Sequence, residues 1–528
     1  MTAGHECQRT APACWPATLL PRWGAPGDDL AHVQIGVGQA RTSPSGRSLE
    51  TSTEQPRSTA RSEYAYRSAL IAPLIPAVPA AASHLRVVRE DEGAGALPAV
   101  VGAVLRVPTL TGEVDYANLD HAASTPALTA VKAAVDTALQ TYSSVHRGNG
   151  YASRITTAWY EQAREEVARF VGARADDLVV FTRNTTDGMN LLARCLPRGT
   201  EVFVFETEHH STLLPWQGVH GVAVTTLPVP SSVEHALDDL ETALAASGAR
   251  HRLVVVAGAS NVTGEIWPVN EVVALARRYR ARVAVDAAQL APHRAIDLSA
   301  SGVDYVAFSG HKLYAPFGTG VLAGRADWLD QGQPYLRGGG ATQRVTTTGA
   351  TWVSGAARHE GGSPNVIGAI AVAAACATIS ARREAIETHE AALLARLRTG
   401  LDALPGVDTW SIFGDDHDRV AVLPFTIERF DSSLVSAILS AEHGIGVRDG
   451  KFCAHILVDE LLEDPWGDVP ATAVRVSIGL ANTEEHVDRL VAAVAQLAAH
   501  GASRRYTRTA EGWVAEDDDR GLTLPRPW

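Results

Sequence analysis

Residues 282–314 read RVAVDAAQLAPHRAIDLSASGVDYVAFSGHKLY, and this stretch decides the fold class. Two short apolar runs, 283–285 and 305–308, each end in residues able to do chemistry. Asp286-Ala-Ala-Gln289 follows the first and Ser309-Gly-His-Lys312 follows the second. Runs this short, apolar at every position, are the pattern of strands buried on both faces. The pattern repeats outward at 178–181, 202–205 and 253–256. Between these runs lie helical segments. Residues 156–171 place Trp159, Ala163, Val167 and Phe170 on one face, and 187–195 reads as a second helix. Strands separated by helices imply right-handed crossovers and a mostly parallel sheet, hence an α/β fold.

Composition agrees with that reading. Of 528 residues, 46% are hydrophobic and 20% charged, a globular balance. Lys and Arg number 46 against 59 Asp and Glu, a formal charge of −13. An acidic chain is a poor general partner for nucleic acid or anionic membrane, although it can still hold a small basic pocket. Five cysteines, Cys7, Cys14, Cys195, Cys376 and Cys453, are too few and scattered for a disulfide framework. They also lack zinc-site spacing, so no metal is expected and the setting reads as reducing and cytoplasmic. No apolar run approaches the ~20 residues of a membrane span. The best candidate, 69–82, is broken by Pro73, Pro76 and Pro79.

The chain divides by texture. Residues 1–112 hold 11 of the 27 prolines and a Ser/Thr/Arg-rich stretch at 41–62, without sustained periodicity. They are expected to be a disordered extension. Residues 113–365 carry the strand–helix alternation. Two long helices, 367–379 and 384–401, then open a segment of mixed elements, 366–500, read as a smaller C-terminal domain. Residues 501–528 are polar and expected to form a tail.

In parallel sheets ligands sit beyond the carboxyl ends of the strands. Five strand ends are polar here: Thr182-Arg-Asn-Thr-Thr-Asp187, Glu206-Thr-Glu-His-His210, Gly258-Ala-Ser-Asn261, Asp286-Ala-Ala-Gln289 and Ser309-Gly-His-Lys312. Lys312 in such a place can be partly desolvated, which lowers its pKa and makes it a nucleophile toward a carbonyl. The plain alternative is a surface lysine. Asp286 needs a cationic partner if buried, and the protonated ring nitrogen of pyridoxal phosphate would supply one. The alternative is an N-cap. Gln289 is placed to donate to the same cofactor's phenolate oxygen. Thr185 and Thr186 stand at a helix start, where free N–H groups receive phosphate, and Ser309 and His311 add donors. Ordinary capping is the alternative. His209 and His210 can stack on a ring or move a proton; a metal pair lacks a third ligand.

The order of these motifs resembles the class V aminotransferase superfamily of fold-type I pyridoxal-phosphate enzymes, nearest the cysteine desulfurases of the sulfur-mobilisation type. Further pieces carry the resemblance: Asn118-Leu-Asp-His-Ala-Ala-Ser-Thr-Pro126, Val145-His-Arg-Gly148, Pro215-Trp-Gln217, Ser260-Asn-Val-Thr-Gly264, Arg358-His-Glu-Gly-Gly-Ser-Pro-Asn365, Gly446-Val-Arg448, Phe452-Cys-Ala454 and Arg475-Val-Ser477. It spans roughly 114–499.

The resemblance implies a large domain built on a mostly parallel, seven-stranded sheet flanked by helices, with a smaller α+β C-terminal domain. It implies that Lys312 holds the cofactor covalently, that Asp286 meets the ring nitrogen and Gln289 the phenolate oxygen, and that His209 stacks on the ring. Thr186, Ser309 and His311, with Thr185 beside them, would hold the phosphate. Asn261 would lie beside substrate and cofactor, and Arg475 would clamp the substrate carboxylate. Cys453 would take sulfur from L-cysteine, leaving L-alanine and an enzyme persulfide. Arg448 and Lys451 are the nearby cations that could favour its thiolate, and the plain alternative is a structural cysteine. The Gly338-Gly-Gly-Ala-Thr342 loop resembles the segment that reaches a partner's phosphate site, which implies a homodimer.

The cysteine segment departs from the family. Lys451 and Phe452 stand where histidines are expected, His455 and Ile456 replace Met and Pro, and Arg475 follows Cys453 by 22 positions. Three functions therefore remain open at this level. They are a desulfurase that passes sulfur to an acceptor protein, another class V transferase or lyase (aminotransferase, epimerase or C–S lyase) acting on an amino acid, and a catalytically silent protein of the same fold. A nicotinamide dehydrogenase is excluded, since no strand–GxGxxG–helix unit is present.

Overall fold

A computed structural model describes residues 96–462, 471–510, 512–521 and 526–528. These belong to one compact unit, Ala81–Trp528. Cys7, Cys14, the stretches 41–62 and 69–82, and residues 463–470, within the 22 positions between Cys453 and Arg475, lie outside the described residues.

Seven strands form the central sheet: β1 (Asp177–Thr182), β2 (Thr200–Phe205), β3 (Val222–Leu227), β4 (His251–Ala257), β5 (Arg282–Asp286), β6 (Tyr305–Ser309) and β7 (Gly320–Arg325). Their order is β1-β7-β6-β5-β4-β2-β3. Only β7 opposes the rest, pairing antiparallel with β1 and β6. The sheet is α/β, as expected, and mixed by that one strand. Sequence reading passed over β7, whose Gly320 and Gly324 weaken the strand signal, and β3, whose half-exposed Thr225 and exposed Thr226 interrupt the apolar run.

Alternation of side chains builds a core on each face. From β4, Val254 and Val256 enter one core with Phe203, Phe205, Val283, Val285 and Phe308. Leu253 and Val255 enter the other with Val202, Ala284, Tyr305 and Leu322. Each fully buried Val, Leu or Phe contributes about 1.5–3 kcal/mol, so the register of these strands is firmly set. The first face is covered by α1 (Thr129–Leu139), α2 (Tyr151–Phe170) and α4 (Val366–Ala381), while α3 (Thr185–Cys195) packs on β6 and β7 from the second. The buried side of α2 is Ser153, Thr156, Tyr160, Ala163, Val167 and Phe170. Tyr160 therefore takes the place expected for Trp159. Its hydroxyl donates to Glu360, which also receives the Arg164 guanidinium at 2.8 Å.

A second core gathers α5 (Arg383–Asp402), α6 (Ser432–His443) and α7 (Glu484–His500) on a four-stranded antiparallel sheet. Its strands β8 (Val407–Thr409), β9 (Val422–Ile427), β10 (Arg448–Gly450) and β11 (Ala473–Ser477) run in the order β8-β9-β11-β10. Ala117 and Leu119 also enter this core, because Ala117–Asn118 pairs in parallel with Ile445–Gly446.

Structure begins before the expected start near residue 113. Arg106–Thr109 pairs with Gly112–Asp115 in a hairpin, and the Leu110 N–H donates to the Ala441 carbonyl of α6. At the other end, the expected tail contains a hairpin of Tyr506–Thr509 and Gly512–Ala515. Glu442 of α6 anchors it by accepting from the Tyr506 hydroxyl at 3.1 Å and from Ser503. Neither segment has the long period that signals a strand or helix; short hairpins owe their order to the helix beneath.

Candidate active site

A cavity of about 340 Å³ opens at the carboxyl ends of the parallel strands. All eleven residues predicted from sequence line it: Thr185, Thr186, His209, Asn261, Asp286, Gln289, Ser309, His311, Lys312, Cys453 and Arg475. The large sheet supplies the first nine; the antiparallel sheet and its loop supply the last two.

Asp286 ends β5 among donors. Its carboxylate accepts from the Thr212 hydroxyl at 2.6 Å, the Ser211 hydroxyl at 3.3 Å and the Ala288 N–H at 2.9 Å. The bond to Ala288 is the local turn expected of an aspartate at a strand end. Gln289 donates to the Ala122 carbonyl at 2.9 Å, which ties the Asp120-His-Ala-Ala123 segment to the cavity wall.

Lys312 closes the short 3₁₀ turn Gly310–Lys312 after β6. Gly310 is required there, because a Cβ would stand 2.5 Å from the Thr319 carbonyl oxygen. Burial pulls the lysine pKa down to about 8, opposed by the Asp286 charge and helped by Arg475. His209 is neutral for the same reason, with burial and then Lys312 lowering it to about 4. The Ser211 N–H donates to its Nδ1 at 3.0 Å, which leaves the proton on Nε2.

Helix α3 starts at the cavity with Asn184 as N-cap, its side chain accepting from the Asp187 N–H. The Thr185 N–H and hydroxyl both meet the Ser309 hydroxyl at 2.8 Å. Capping and cavity lining thus coexist, since Thr186, Ser309 and His311 all border the same space.

Arg475 sits on β11, directly across from Arg448 on β10, so both guanidinium groups share one face of the small sheet. Burial lowers the Arg475 pKa to about 10, although Asp120 holds it up. Its guanidinium donates to the Asn261 carbonyl at 2.8 Å and to Asp120 at 3.2 Å, and lies 5.0 Å from the Phe452 ring centre. Its Nε is buried without a partner. The Asn261 side chain in turn donates to the Phe452 carbonyl at 2.7 Å.

Cys453 is exposed at the rim, in a held turn rather than a loose loop. Phe452 and Cys453 both have positive φ, 51° and 56°. Such backbone costs roughly 1–2 kcal/mol per residue and persists only where the surroundings impose it. Here Phe452 and Ala454 are buried with Leu457, Val458 and Ile412, and the His210 N–H donates to the Cys453 carbonyl at 2.8 Å. Of the two nearby cations, Arg448 lines the cavity, whereas Lys451 is ion-paired with Asp459.

Sequence reading missed three groups that shape this site. Asp120 stood in a quoted motif, but its bond to Arg475 spans 355 positions. Ser211 and Thr212 follow the histidine pair and had no signal of their own. Glu208 is buried with one carboxyl oxygen on the Ala257 N–H at 3.0 Å and the other unpartnered. Burial pushes its pKa up to about 8, with the Asp286 charge adding to the effect.

Pyridoxal phosphate fits the donor set. Hydroxyls and a helix N-terminus suit a phosphate, a carboxylate suits a protonated ring nitrogen, and a lysine of lowered pKa lies between them. Ala122, Ala123, Ala257, Ala259 and Ala288 line the remainder, and such small side chains leave room for a flat ring.

Comparison with known proteins gives a consistent picture. The family described as "Aminotransferase class-V" matches residues 117–490. The chain is 36% identical over 396 residues to a probable cysteine desulfurase of Halalkalibacterium halodurans, covering 72% of this chain and 94% of that protein. It is 36% identical over 387 residues to a cysteine desulfurase of Dickeya dadantii, covering 71% and 90%. Among solved structures, the apo cysteine desulfurase of Thermococcus onnurineus NA1 matches with a TM-score of 0.65 at 31% identity, covering 72% of this chain and 94% of that one. The cysteine desulfurase CsdA of Escherichia coli, in an S-sulfonic acid form, matches with a TM-score of 0.62 at 32% identity, covering 72% and 94%.

Proposed function

The chain belongs to the aminotransferase class-V family of pyridoxal-phosphate enzymes, and from that premise we propose that it is a cysteine desulfurase, converting L-cysteine to L-alanine with its sulfur carried on Cys453. The observation that carries this reading is Cys453 in a strained turn at the rim of the cavity that Lys312 and Arg475 line.

The bound cofactor supplies an electron sink at the substrate Cα. The protein's own groups do the rest. Asp286 would pair with the ring nitrogen, Gln289 with the phenolate oxygen, and His209 would cover the ring. Thr186, Ser309, His311 and the start of α3 would hold the phosphate, with Thr185 as their brace. Lys312 holds the cofactor and then carries the Cα proton, a role suited to an amine whose pKa lies near 8. Arg475 orients the substrate carboxylate, and Asn261 fixes both Arg475 and the Cys453 turn. The Cys453 thiolate attacks the substrate sulfur. An S–S bond forms, the substrate C–S bond breaks, and the carbon takes a proton to become alanine.

A homodimer is part of this reading. Arg147 donates to the carbonyls of Gly339, at 2.6 Å, and Gly362, which steadies the loop expected to reach a second copy. Beyond it the hairpin of Thr342–Thr346 and Gly349–Trp352 is exposed, with Val345 at 66%. A sulfur-acceptor protein would receive the persulfide in the cell, and the three free cysteines among the described residues agree with a reducing cytoplasm. Among the described residues no single helix is long and apolar enough to cross a membrane.

The test is alanine and sulfide formation from L-cysteine with a reductant, comparing wild type with Cys453→Ala. The variant should keep its yellow colour and lose about 100-fold or more of the alanine rate. If alanine formation is unchanged, Cys453 is incidental and the reaction belongs to another class V type, such as transamination of a different amino acid.

A further inference from the structure

A second cavity, of about 590 Å³, lies at the opposite end of the sheet, lined by Arg198, Arg250, Arg252, Arg280 and Arg282. His251, Trp328 and Gln331 complete much of its wall, and Asp327 is its one carboxylate. The arginines stand at the amino ends of three adjacent parallel strands, β2, β4 and β5, which lie side by side with Thr200 opposite His251 and Leu253 opposite Arg282. In a chain whose formal charge is −13, five guanidinium groups around one cavity are a concentrated positive field.

Three of the five have structural work. Arg282 is held by Asp327 and the Tyr305 hydroxyl and lies 4.0 Å over Trp328. Arg252 donates to the Ser247 and Tyr279 carbonyls at the ends of two helices, and its Nε is buried without a partner. Arg198 donates to His220 at 2.6 Å. Arg250 and Arg280 are exposed and have no partner among the described residues. Arg280, at φ 53°, is the left-handed residue that closes the helix Val269–Arg278, with the Ala281 N–H donating back to the Ala276 carbonyl at 2.9 Å. Burial, and after it the charges of Arg250 and Arg282, lower the His251 pKa.

We propose that this cleft is a binding site for a short oligophosphate anion, separate from the active site at the other end of the strands. The strands that carry these guanidinium groups are spaced about 4.8 Å apart, so a chain of linked phosphates can engage more of them at once than a single phosphate can. A long nucleic acid would leave the cleft and meet the acidic remainder of the surface, so a short anion is favoured. Guanidinium groups suit phosphate oxygens because they donate two parallel hydrogen bonds.

The experiment is calorimetric titration of the cofactor-loaded enzyme, whose active-site phosphate position is already filled, with inorganic tripolyphosphate, orthophosphate and a short RNA oligonucleotide. The same titrations are run on the Arg250→Gln/Arg280→Gln variant, with its melting temperature as the folding control. Tripolyphosphate should bind at least about tenfold more tightly than orthophosphate or the RNA, and the variant should lose about tenfold or more of that affinity. Equal binding of both phosphates, absence of binding at millimolar concentration, or undiminished binding by a folded variant overturns the proposal. Tighter binding of the RNA overturns it in favour of nucleic acid.

Discussion

Replacing Asp120 by asparagine should separate two roles that Arg475 has in the free protein: internal ion pair and proposed substrate clamp. The guanidinium donates to Asp120 at 3.2 Å and to the Asn261 carbonyl at 2.8 Å. Asparagine keeps an acceptor oxygen and removes the charge. Two unit charges at that distance attract by about 5 kcal/mol at an effective dielectric of 20, which bounds the effect. The Asp120 side chain is 24% exposed and its burial already opposes ionisation, so the net loss is smaller, about 2 kcal/mol. In a fold of this size that lowers the melting temperature by about 2 °C. A substrate carboxylate would compete with Asp120 for the same guanidinium. Asp120→Asn should therefore bind L-alanine more tightly, by up to about tenfold. Thermal melts of the loaded protein with and without L-alanine, paired with an absorbance titration, read both effects. The variant should melt lower alone and gain more from the ligand. Wild-type stability, or a smaller gain from alanine than wild type shows, would refute the competition.

Two further outcomes follow from buried titrating groups. Glu208→Gln should change how stability varies with pH. The carboxyl titrates near 4.5 when unfolded and near 8 when folded, so the native state holds the extra proton between those values and wild type loses stability as pH rises through the window. The melting temperature of the variant should gain steadily on wild type from about pH 5 to 8, and a constant difference would count against the assignment. For Lys312, peptide mass spectrometry after amine labelling of cofactor-free protein gives a direct reading. The chain's three lysines, Lys132, Lys312 and Lys451, supply internal references. Lys312 should label half-maximally near pH 8; a midpoint at the ordinary 10.5 would remove its claim to a desolvated site.

What was legible in the sequence was whatever depends on neighbours in the chain. Runs such as 283–285 and 305–308 are apolar at every position, and their chemistry follows at once at Asp286 and Lys312. The rule that ligands gather at carboxyl ends then placed nine site residues without any knowledge of packing. What depends on contacts across the chain was not legible. Asp120 reaches Arg475 only because Ala117–Asn118 joins the second core beside Ile445. The two terminal hairpins are ordered by α6, far from either in sequence, and β7 is hidden by glycines that its close packing demands. Gly324 could not carry a Cβ, which would meet the Asp304 carbonyl oxygen at 2.0 Å.

The same distinction bears on the altered cysteine segment. By sequence, Lys451 and Phe452 looked like losses, since neither can do what a histidine does. In the fold each has a definite place. Lys451 pairs with Asp459, a residue of the helix His455–Leu461 that follows the turn. Phe452 is 7% exposed, seals one side of the Arg475 guanidinium, and anchors the turn in an apolar cluster. His455 sets its ring edge-on against His210 at 4.6 Å, while the His210 N–H holds the Cys453 carbonyl. Packing and backbone bonds therefore fix Cys453 in a segment where the family resemblance led us to expect histidines. A thiol held in this way loses reach but keeps its orientation. Transfer of sulfur onward from Cys453 would then require the acceptor to come to the rim of the cavity, because the turn is braced against moving out to meet it.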